Sequence, residues 1–175
     1  MIICIANQKG GVGKTTSSLN ISAALSLMGK NTLLVDTDPQ AHSTISYVKN
    51  PEEYNVSLYD VLVNSSSIEN VIVKSTIPGL DMAISRISMA KIESSLIGDI
   101  DSHYRLKDVI DSVKKKYDFI IIDTPPNLGL ITLNALVASD RIIIPIQSSY
   151  LCLEGTDDLL ETIDKVRKVA NPNLQ

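Results

Sequence analysis

Five short apolar runs recur along the chain, and longer segments of mixed polarity separate them. Four of the runs are almost continuously aliphatic, which is typical of parallel strands that are covered on both faces of a sheet. The fifth run, LDMAIS, carries a weaker pattern. The predicted strands span residues 2–6, 32–36, 80–85, 118–123 and 141–146.

The segments between the runs have helical periodicity, with an apolar stripe along one side. Gly29 is placed to end the first of them, because glycine suits the C-terminus of a helix. The predicted helices span residues 13–28, 105–116, 128–138 and 155–170. The side chains predicted to form these stripes are Ile21, Ala24, Leu25 and Met28 on the first helix, Leu106, Val109, Ile110 and Val113 on one face of the second, and Leu159, Leu160, Ile163 and Val166, placed inward, on the last.

The alternation of strands and helices predicts an α/β fold with a doubly wound, mostly parallel sheet and helices on both faces. Residues 43–78 are less regular and are predicted to form short helices and loops over the sheet edge. Only NPNLQ follows the last helix, so we expect residues 1–175 to form a single domain without the last strands of such a fold. Two interpretations stay open: the chain is a fragment, or it is a short member of a longer family.

Composition indicates a soluble globular protein, with 44% hydrophobic and 21% charged residues in a chain of 175. The net charge of −4 gives no global signature of nucleic-acid binding, so any DNA-binding surface has to be a local patch. The N-terminus lacks a basic segment before its apolar run, and no run approaches the ~20 apolar residues that span a membrane. We therefore expect a cytoplasmic protein with no membrane partner.

Two cysteines, Cys4 and Cys152, lie in apolar surroundings in the sequence. Their separation fits no metal-binding motif, and a disulfide is not expected. Both are predicted to be buried core thiols.

The segment NQKGGVGKTT, residues 7–16, follows the first predicted strand and leads into the first helix. It departs from the phosphate-loop pattern G-x-x-x-x-G-K-[ST], because Gln8 replaces the first glycine. The remaining glycines let the backbone aim several N–H groups at one anion, and the helix adds its N-terminal dipole, although a glycine-rich turn with a coincidental GKT is the alternative. In a phosphate loop, Lys14 contacts the β- and γ-phosphates, Thr15 ligates Mg²⁺ and Thr16 reaches the α-phosphate. The predicted nucleotide-binding residues are Lys9, Gly10, Gly11, Val12, Gly13, Lys14, Thr15 and Thr16.

Asp123 ends the aliphatic run DFIIID, which is the Walker B arrangement. Its carboxylate is predicted to hold Mg²⁺ through water, although an ordinary aspartate at a strand end is the alternative.

Two further carboxylates follow the second strand in VDTDPQ, and the ends of parallel strands form the ligand crevice of doubly wound folds. Asp38 is predicted to orient the water that attacks the phosphate, and Asp36 is assigned to the metal site as a supporting group. The alternative for both is that they cap the helix that starts near Ala41.

Together these motifs resemble the deviant Walker A ATPases, and within them the ParA/Soj partition ATPases. The match runs through KGGVGKTT, DTDPQ, DTPPNLGLITLNAL and PIQSSYLCLEG, so it covers essentially the whole chain. The related MinD branch differs after the second aspartate and has a membrane-binding tail, the nitrogenase iron protein branch needs cluster-holding cysteines, and the tyrosine-kinase branch has a terminal tyrosine cluster. The sequence lacks these features.

The resemblance implies a Mg²⁺-dependent ATPase that works as a molecular switch. In that family two subunits form a homodimer around two ATP molecules, and the lysine that corresponds to Lys9 reaches the phosphates of the partner. The ATP-bound dimer binds DNA without sequence preference on the nucleoid, and a ParB-type centromere-binding protein triggers hydrolysis to ADP and phosphate. The implied role is plasmid or chromosome partition.

Several alternatives stay open from the residues themselves. Lys9 can be a solvated loop lysine, and the chain can be a non-catalytic nucleotide-binding or adaptor module, or a positioning ATPase for another cellular cargo. The resemblance places the adenine contacts and most DNA contacts beyond Gln175. The side chains interpreted as solvated or surface groups are Lys114, Lys115, Lys116, Lys165, Arg167, Lys168, His42 and His103.

Overall fold

One sheet organises the protein, whose computed structural model describes residues 1–147 and 156–175. The strands in that part of the chain are β1 (Ile2–Ile5), β2 (Thr32–Asp36), β3 (Ile72–Lys74), β4 (Leu80–Ala83), β5 (Phe119–Asp123) and β6 (Arg141–Ile143). Their order across the sheet is β3-β4-β2-β5-β1-β6. Every neighbouring pair is parallel except β3 and β4 at one edge.

Helices connect these strands and cover the sheet. They are α1 (Lys14–Leu27), α2 (His42–Tyr47), α3 (Leu58–Asn64), α4 (Ile92–Ser95), α5 (Arg105–Val113), α6 (Leu130–Ala138) and α7 (Asp157–Val169). Helix α1 packs against β1, β2, β4 and β5, whereas α6 contacts β1, α5 and α7. The predicted α/β class with a mostly parallel sheet is confirmed.

The five predicted strands are all present, although β1 and β5 are each one residue shorter than predicted and β4 and β6 are shorter by two and three residues. Strand β4 ends at Ala83 and β6 ends at Ile143. Pro145 explains the early end of β6, because a proline has no N–H to continue the ladder. At the outer side of β6, the N–H of Ile142 donates to the carbonyl of Gln175, whose own N–H donates to the carbonyl of Asp140.

Strand β3 is not predicted from the sequence, where its region is expected to contain only short helices and loops. Helices α2 and α3 confirm that expectation in part, but Ile72–Lys74 pairs with β4. Lys74 lies opposite Asp81 and forms an ion pair with it at 2.7 Å. A strand of three residues, none of them buried, has too few positions to show an alternating pattern.

The predicted apolar stripe of α1 faces the core only in part, through Ile21 and Leu25. Ala24 and Met28 are exposed, and Ile21 and Leu25 are only partly buried. The residues buried along the helix after Lys14 are Ser18, Ser22 and Ser26. Each serine hydroxyl donates to a backbone carbonyl, so burial leaves no unpaired polar group, and a small side chain lets the helix axis lie close to the sheet.

The other predicted stripes fit better. On α5, Leu106, Ile110 and Val113 are buried and Val109 packs partly against the core. On α7, Leu159, Ile163 and Val166 are buried as predicted, but Leu160 is 49% exposed, so its inward assignment is wrong. The start of the last predicted helix, residue 155, lies outside the described residues.

Cys4 lies on β1 with no exposed surface and a free thiol, as predicted. Burial raises the pKa of this thiol far above its ordinary range, and the nearby charge of Asp123 adds to the effect. Cys152 lies outside the described residues. None of the helices in residues 1–147 and 156–175 is both long and apolar enough to cross a bilayer.

Candidate phosphate-binding site

The loop between β1 and α1 has a backbone that only glycine adopts easily. Gly11 and Gly13 have φ angles of 74° and 96°, in the left-handed region. Gly13 is the N-cap of α1, and its carbonyl accepts the first helical hydrogen bond, from the N–H of Ser17 at 2.8 Å. Because glycine has no side chain to cap the helix, the N-terminal N–H groups of α1 face the loop and suit an anion.

The side chains of Asn7, at the start of the loop, and of Gln147, after β6, hold the loop in place. Asn7 Nδ2 donates to the carbonyl of Pro145 at 2.9 Å, and Asn7 Oδ1 accepts the N–H of Lys9 at 3.0 Å. Gln147 Nε2 donates to the carbonyl of Gly11 at 2.9 Å. The loop is therefore fixed to the segment that follows β6, the strand next to β1.

A cavity of about 360 Å³ opens above the loop, which is large enough for phosphates and bound water. Of the predicted loop residues, Lys9 and Val12 are not among those that line it. The predicted carboxylate Asp38 faces the same cavity. The lining consists of Gly10, Gly11, Gly13, Lys14, Thr15, Thr16, Asp38, Gln40, His42 and Pro126.

Lys14 contributes a positively charged side chain to the lining of this cavity, and only 6% of its surface is exposed. Its Nζ donates to the carbonyl of Lys9 at 2.8 Å. Burial lowers the pKa of the ammonium, while the negative charges of Asp123 and Asp38 oppose that shift. The ammonium is the charged group of this cavity that can bind an anionic phosphate, whereas the two carboxylates repel an anion and favour a bound cation.

Asp123 lies at the end of β5 with no exposed surface. Its Oδ1 accepts the hydroxyl of Ser18 at 2.9 Å, and its Oδ2 accepts that of Ser43 at 2.6 Å. Burial raises the pKa of this carboxyl, while hydrogen bonds from Ser43, Ser18 and Thr15 favour its ionised form. Asp123 is thus within hydrogen-bonding reach of the predicted metal ligand Thr15.

Asp36 is the register partner of Asp123 on the neighbouring strand, so two buried carboxyls lie side by side. Asp36 Oδ2 accepts both the N–H and the hydroxyl of Thr44 at 2.8 Å. Because Thr44 is in the first turn of α2, the carboxyl of Asp36 caps the start of that helix. Burial, and then the charge of Asp123, raises its pKa to about 7. Asp36 does not line the cavity, and its contacts are those of the capping alternative.

Asp38 is 8% exposed and presents its side chain to the cavity. Its Oδ1 accepts the N–H of Gln40 at 2.9 Å, a local turn that fixes the carboxylate direction. Lys14, the first residue of α1, and Asp38, two residues after β2, therefore share one cavity.

Sequence reasoning missed several residues of the site. Ser18 follows Lys14 by one helical turn, so the helical period after the loop contained a signal for its contact with Asp123. Ser43 contained no such signal, because its hydroxyl reaches Asp123 only once β2 and β5 are neighbours. Gln40, in the segment before α2, and His42, the first residue of α2, also line the cavity. From the sequence, His42 is predicted to be a surface or loop residue.

The donor atoms suit Mg²⁺. Thr15 offers a hydroxyl and Asp123 a carboxylate, and Mg²⁺ prefers such hard oxygen ligands together with waters and phosphate oxygens. In the described part of the chain, no three His, Cys, Asp or Glu side chains cluster as a metal cage. The site therefore fits a magnesium ion that is held jointly with a bound phosphate, and not a closed all-protein metal centre.

Comparison with known proteins places this site in a family. The family model described as an AAA domain matches residues 1–175. The sporulation initiation inhibitor protein Soj of Bacillus subtilis (strain 168) is 44% identical over 173 residues, which cover 99% of this chain and 68% of Soj. The chain spans 62% of the length of the chromosome partitioning protein ParA of Myxococcus xanthus.

Solved structures agree. A plasmid partition protein from Borrelia burgdorferi superposes with a TM-score of 0.84 at 31% identity, over 95% of this chain and 74% of that chain. A cobyrinic acid a,c-diamide synthase from Mycobacterium smegmatis, solved with a bound ATP analog and magnesium, has a TM-score of 0.94 at 36% identity, over 99% of this chain and 70% of that chain. By sequence motif, site geometry and similarity, the chain belongs to the Soj/ParA family of P-loop ATPases.

Proposed function

We propose that this protein is a Mg²⁺-dependent ATPase that acts as a partition switch. One observation carries the proposal: Lys14 and Asp38 face one cavity above a glycine loop, with Asp123 and Thr15 beside it. The ATP analog and magnesium bound to the Mycobacterium smegmatis protein support the same ligands here. We further propose that residues 1–175 act as one domain within this cycle.

The chain's own residues divide the chemistry. Backbone N–H groups of the loop and the Lys14 ammonium bind the phosphates of ATP, which positions them and offsets their charge. Thr15 and Asp123 hold Mg²⁺, which supplies further neutralisation of phosphate charge when bound. Asp38 accepts a hydrogen bond from the attacking water and so orients it toward the γ-phosphate.

Lys9 is proposed to act on the partner subunit. Its backbone is tied to Asn7 and Lys14 through the N–H and the carbonyl, so the side chain is the part that is left to reach outward. In related reactions a cationic arginine supplied by a partner stabilises the charge of the transition state and raises the rate of phosphoryl transfer by orders of magnitude. Homodimerisation upon ATP binding follows, because the phosphates offset repulsion between the lysines of two subunits.

DNA and a ParB-type centromere-binding protein are the proposed partners, on the nucleoid in the cytoplasm. The names of the Soj, ParA and plasmid partition relatives support this role. The two basic clusters give it little support, since Lys114, Lys116, Lys165 and Arg167 each form an ion pair with a carboxylate nearby. Those pairs fit the interpretation as solvated helix faces.

Asp38→Ala tests the enzymatic proposal. The variant is expected to bind ATP with little change, because Lys14 and the loop are intact, and to lose at least a hundred-fold in phosphate release at saturating ATP. Phosphate release with Mg²⁺, DNA and a cognate ParB-type protein measures the loss. Glu52→Ala, which removes an exposed carboxylate outside the cavity, is the matched control.

Two other outcomes separate the alternatives. Nucleotide binding without any stimulated phosphate release identifies an adaptor module. Phosphate release that depends on cobyrinic acid and yields its a,c-diamide identifies a synthase of the kind named for the Mycobacterium smegmatis protein. Turnover in Asp38→Ala equal to that of the parent removes Asp38 from the assigned role.

A further inference from the structure

A closed ring of hydrogen bonds surrounds the backbone of Asp38. Its N–H donates to Asp36 Oδ1 at 3.1 Å, and its carbonyl accepts the hydroxyl of Ser85 at 2.7 Å. The N–H of this residue is therefore held by the side chain two positions before it, and its carbonyl by a side chain that follows β4. The hydrogen bond from the N–H of Ala41 to the same carbonyl adds a third attachment at 2.9 Å.

Thr44 closes the ring on the far side. Its hydroxyl donates to Asp36 Oδ2 at 2.8 Å and accepts the N–H of Ser85 at 3.0 Å. The Thr44 hydroxyl thus donates one hydrogen bond and accepts another, and so connects Asp36 with Ser85, the two residues whose side chains hold the backbone of Asp38. Asp36, Thr44 and Ser85 are at most 1% exposed, and Asp38 is 8% exposed because its carboxylate faces the cavity.

The ring joins three elements that the fold places side by side. Asp36 ends β2, Ser85 lies two residues after β4, and Thr44 is in α2. Strands β2 and β4 are parallel neighbours, so their carboxyl ends meet at the cavity. In a water-free interior such a fully satisfied network is rigid, because breaking any bond leaves a buried polar group unpaired.

We propose that Ser85 and Thr44 are positioning residues for hydrolysis, which set the direction in which Asp38 presents its carboxylate to the attacking water. They touch no reacting atom and act through Asp38. The requirement is geometric, since a displacement of about 1 Å at a catalytic group costs roughly a hundred-fold in rate. The proposal deepens the proposed function and rests on it for its turnover measurement.

Three substitutions test the ring. Thr44→Val keeps the shape but removes the hydroxyl, Thr44→Ser keeps the hydroxyl, and Ser85→Ala removes the bond to the Asp38 carbonyl. We expect Thr44→Val and Ser85→Ala to lower kcat at least ten-fold with less than three-fold change in ATP Kd, and Thr44→Ser to keep most of the rate. Ser22→Ala removes an equally buried hydroxyl that bonds only within α1, and serves as the control.

A double variant distinguishes positioning from general damage. In an Asp38→Ala background, Ser85→Ala is expected to cause no further fall in single-turnover hydrolysis, because the group it positions is absent. A further ten-fold loss there, or equal rates for Thr44→Val and Thr44→Ser, overturns the proposal. Melting temperatures of all variants identify any that fail to fold.

A second readout needs no turnover. The carboxyl ¹³C chemical shift of Asp38, assigned by comparison with Asp38→Asn, reports its environment in protein without nucleotide. It is expected to move in Ser85→Ala and to stay fixed in Ser22→Ala. An unchanged shift in both overturns the positioning role, whereas absence of ATP hydrolysis in the parent, with the shift behaving as expected, overturns only the proposed function.

Discussion

At the scale of single residues, the site is built from charged groups that are buried and then compensated locally. Asp36 and Asp123 lie in register on adjacent strands, where each would repel the other if both were ionised. Hydroxyls from four residues around them supply the donors that make such burial tolerable. These are Ser18, Ser43, Thr44 and, for Asp123, also Thr15.

Asp36 is expected to make stability depend on pH. Below about pH 4 the carboxyl is protonated in both the folded and the unfolded chain; as pH rises, the unfolded chain loses the proton first, while the folded chain keeps it up to a pKa of about 7. The free energy of unfolding therefore falls between about pH 4 and pH 7, by at most roughly 4 kcal/mol.

Urea unfolding of the parent and of Asp36→Asn across pH 4 to 7.5 measures this dependence. The asparagine does not titrate, so the stability of the parent relative to the variant should decline as pH rises. A difference that stays constant across the range contradicts the raised pKa.

Cys4 gives a second prediction at this scale. Its thiol is fully buried on the central part of the sheet and its pKa is raised, so very little thiolate exists at pH 8. In a Cys152→Ser background, iodoacetamide should label the native protein far more slowly than the protein in urea, in proportion to the unfolded fraction. Labelling at equal rates in both conditions contradicts the burial of Cys4.

At the scale of elements, α1 shows how a helix can pack with polar side chains inward. Ser18, Ser22 and Ser26 recur at every fourth position and face the sheet, while Leu27 and Met28 are more than 70% exposed. The close approach is visible at Gly79, where an added Cβ would lie 2.9 Å from Ser26 Oγ. Space, more than hydrophobicity, decides which side of α1 faces inward.

Ser22→Leu should therefore destabilise the protein although it adds an apolar side chain to the interior. Overpacking of a filled site costs about 1–3 kcal/mol. Ala24→Leu, two residues along the same helix on the exposed side, is the control and should change stability by less than about 0.5 kcal/mol. Midpoints of urea unfolding compare the two, and a stabilised Ser22→Leu would show that the space around Ser22 is not filled.

At the scale of the whole molecule, the cavity is open on one side. Lys9 belongs to the loop below the cavity but does not line it. A second copy of the chain that covers this opening would bring its own Lys9 toward the bound phosphates. That arrangement makes assembly depend on nucleotide, which is how a binding event becomes a switch.

Lys9→Ala is expected to abolish ATP-dependent dimerisation and to leave nucleotide binding by the monomer largely intact. Analytical ultracentrifugation with Mg²⁺ and a non-hydrolysable ATP analog measures the dimer, and a fluorescent nucleotide measures binding. Lys30→Ala, which removes an exposed lysine near the start of β2, is the control. Dimerisation of Lys9→Ala at the level of the parent shows that Lys9 does not act between subunits.

The sequence by itself determined the α/β class, five of the strands and the phosphate loop. These features depend on local patterns: continuous aliphatic runs report burial on both faces of a strand, and glycines at positions 11 and 13 report a backbone that other residues resist. Asp123 belongs to the same group, because its place at a strand end is visible without knowledge of its neighbours.

Only the tertiary structure decided the rest. The strand β3, the serine face of α1 and the ring around Asp38 depend on which strands are neighbours and how closely a helix approaches them. Ser85 and Asp38 are far apart in the sequence, and no periodicity links a hydroxyl to a carbonyl across that separation. Local sequence determines which groups are polar, whereas strand order determines which of them come into contact. In this protein, the contact between Ser85 and Asp38 positions the carboxylate that is proposed to orient the attacking water.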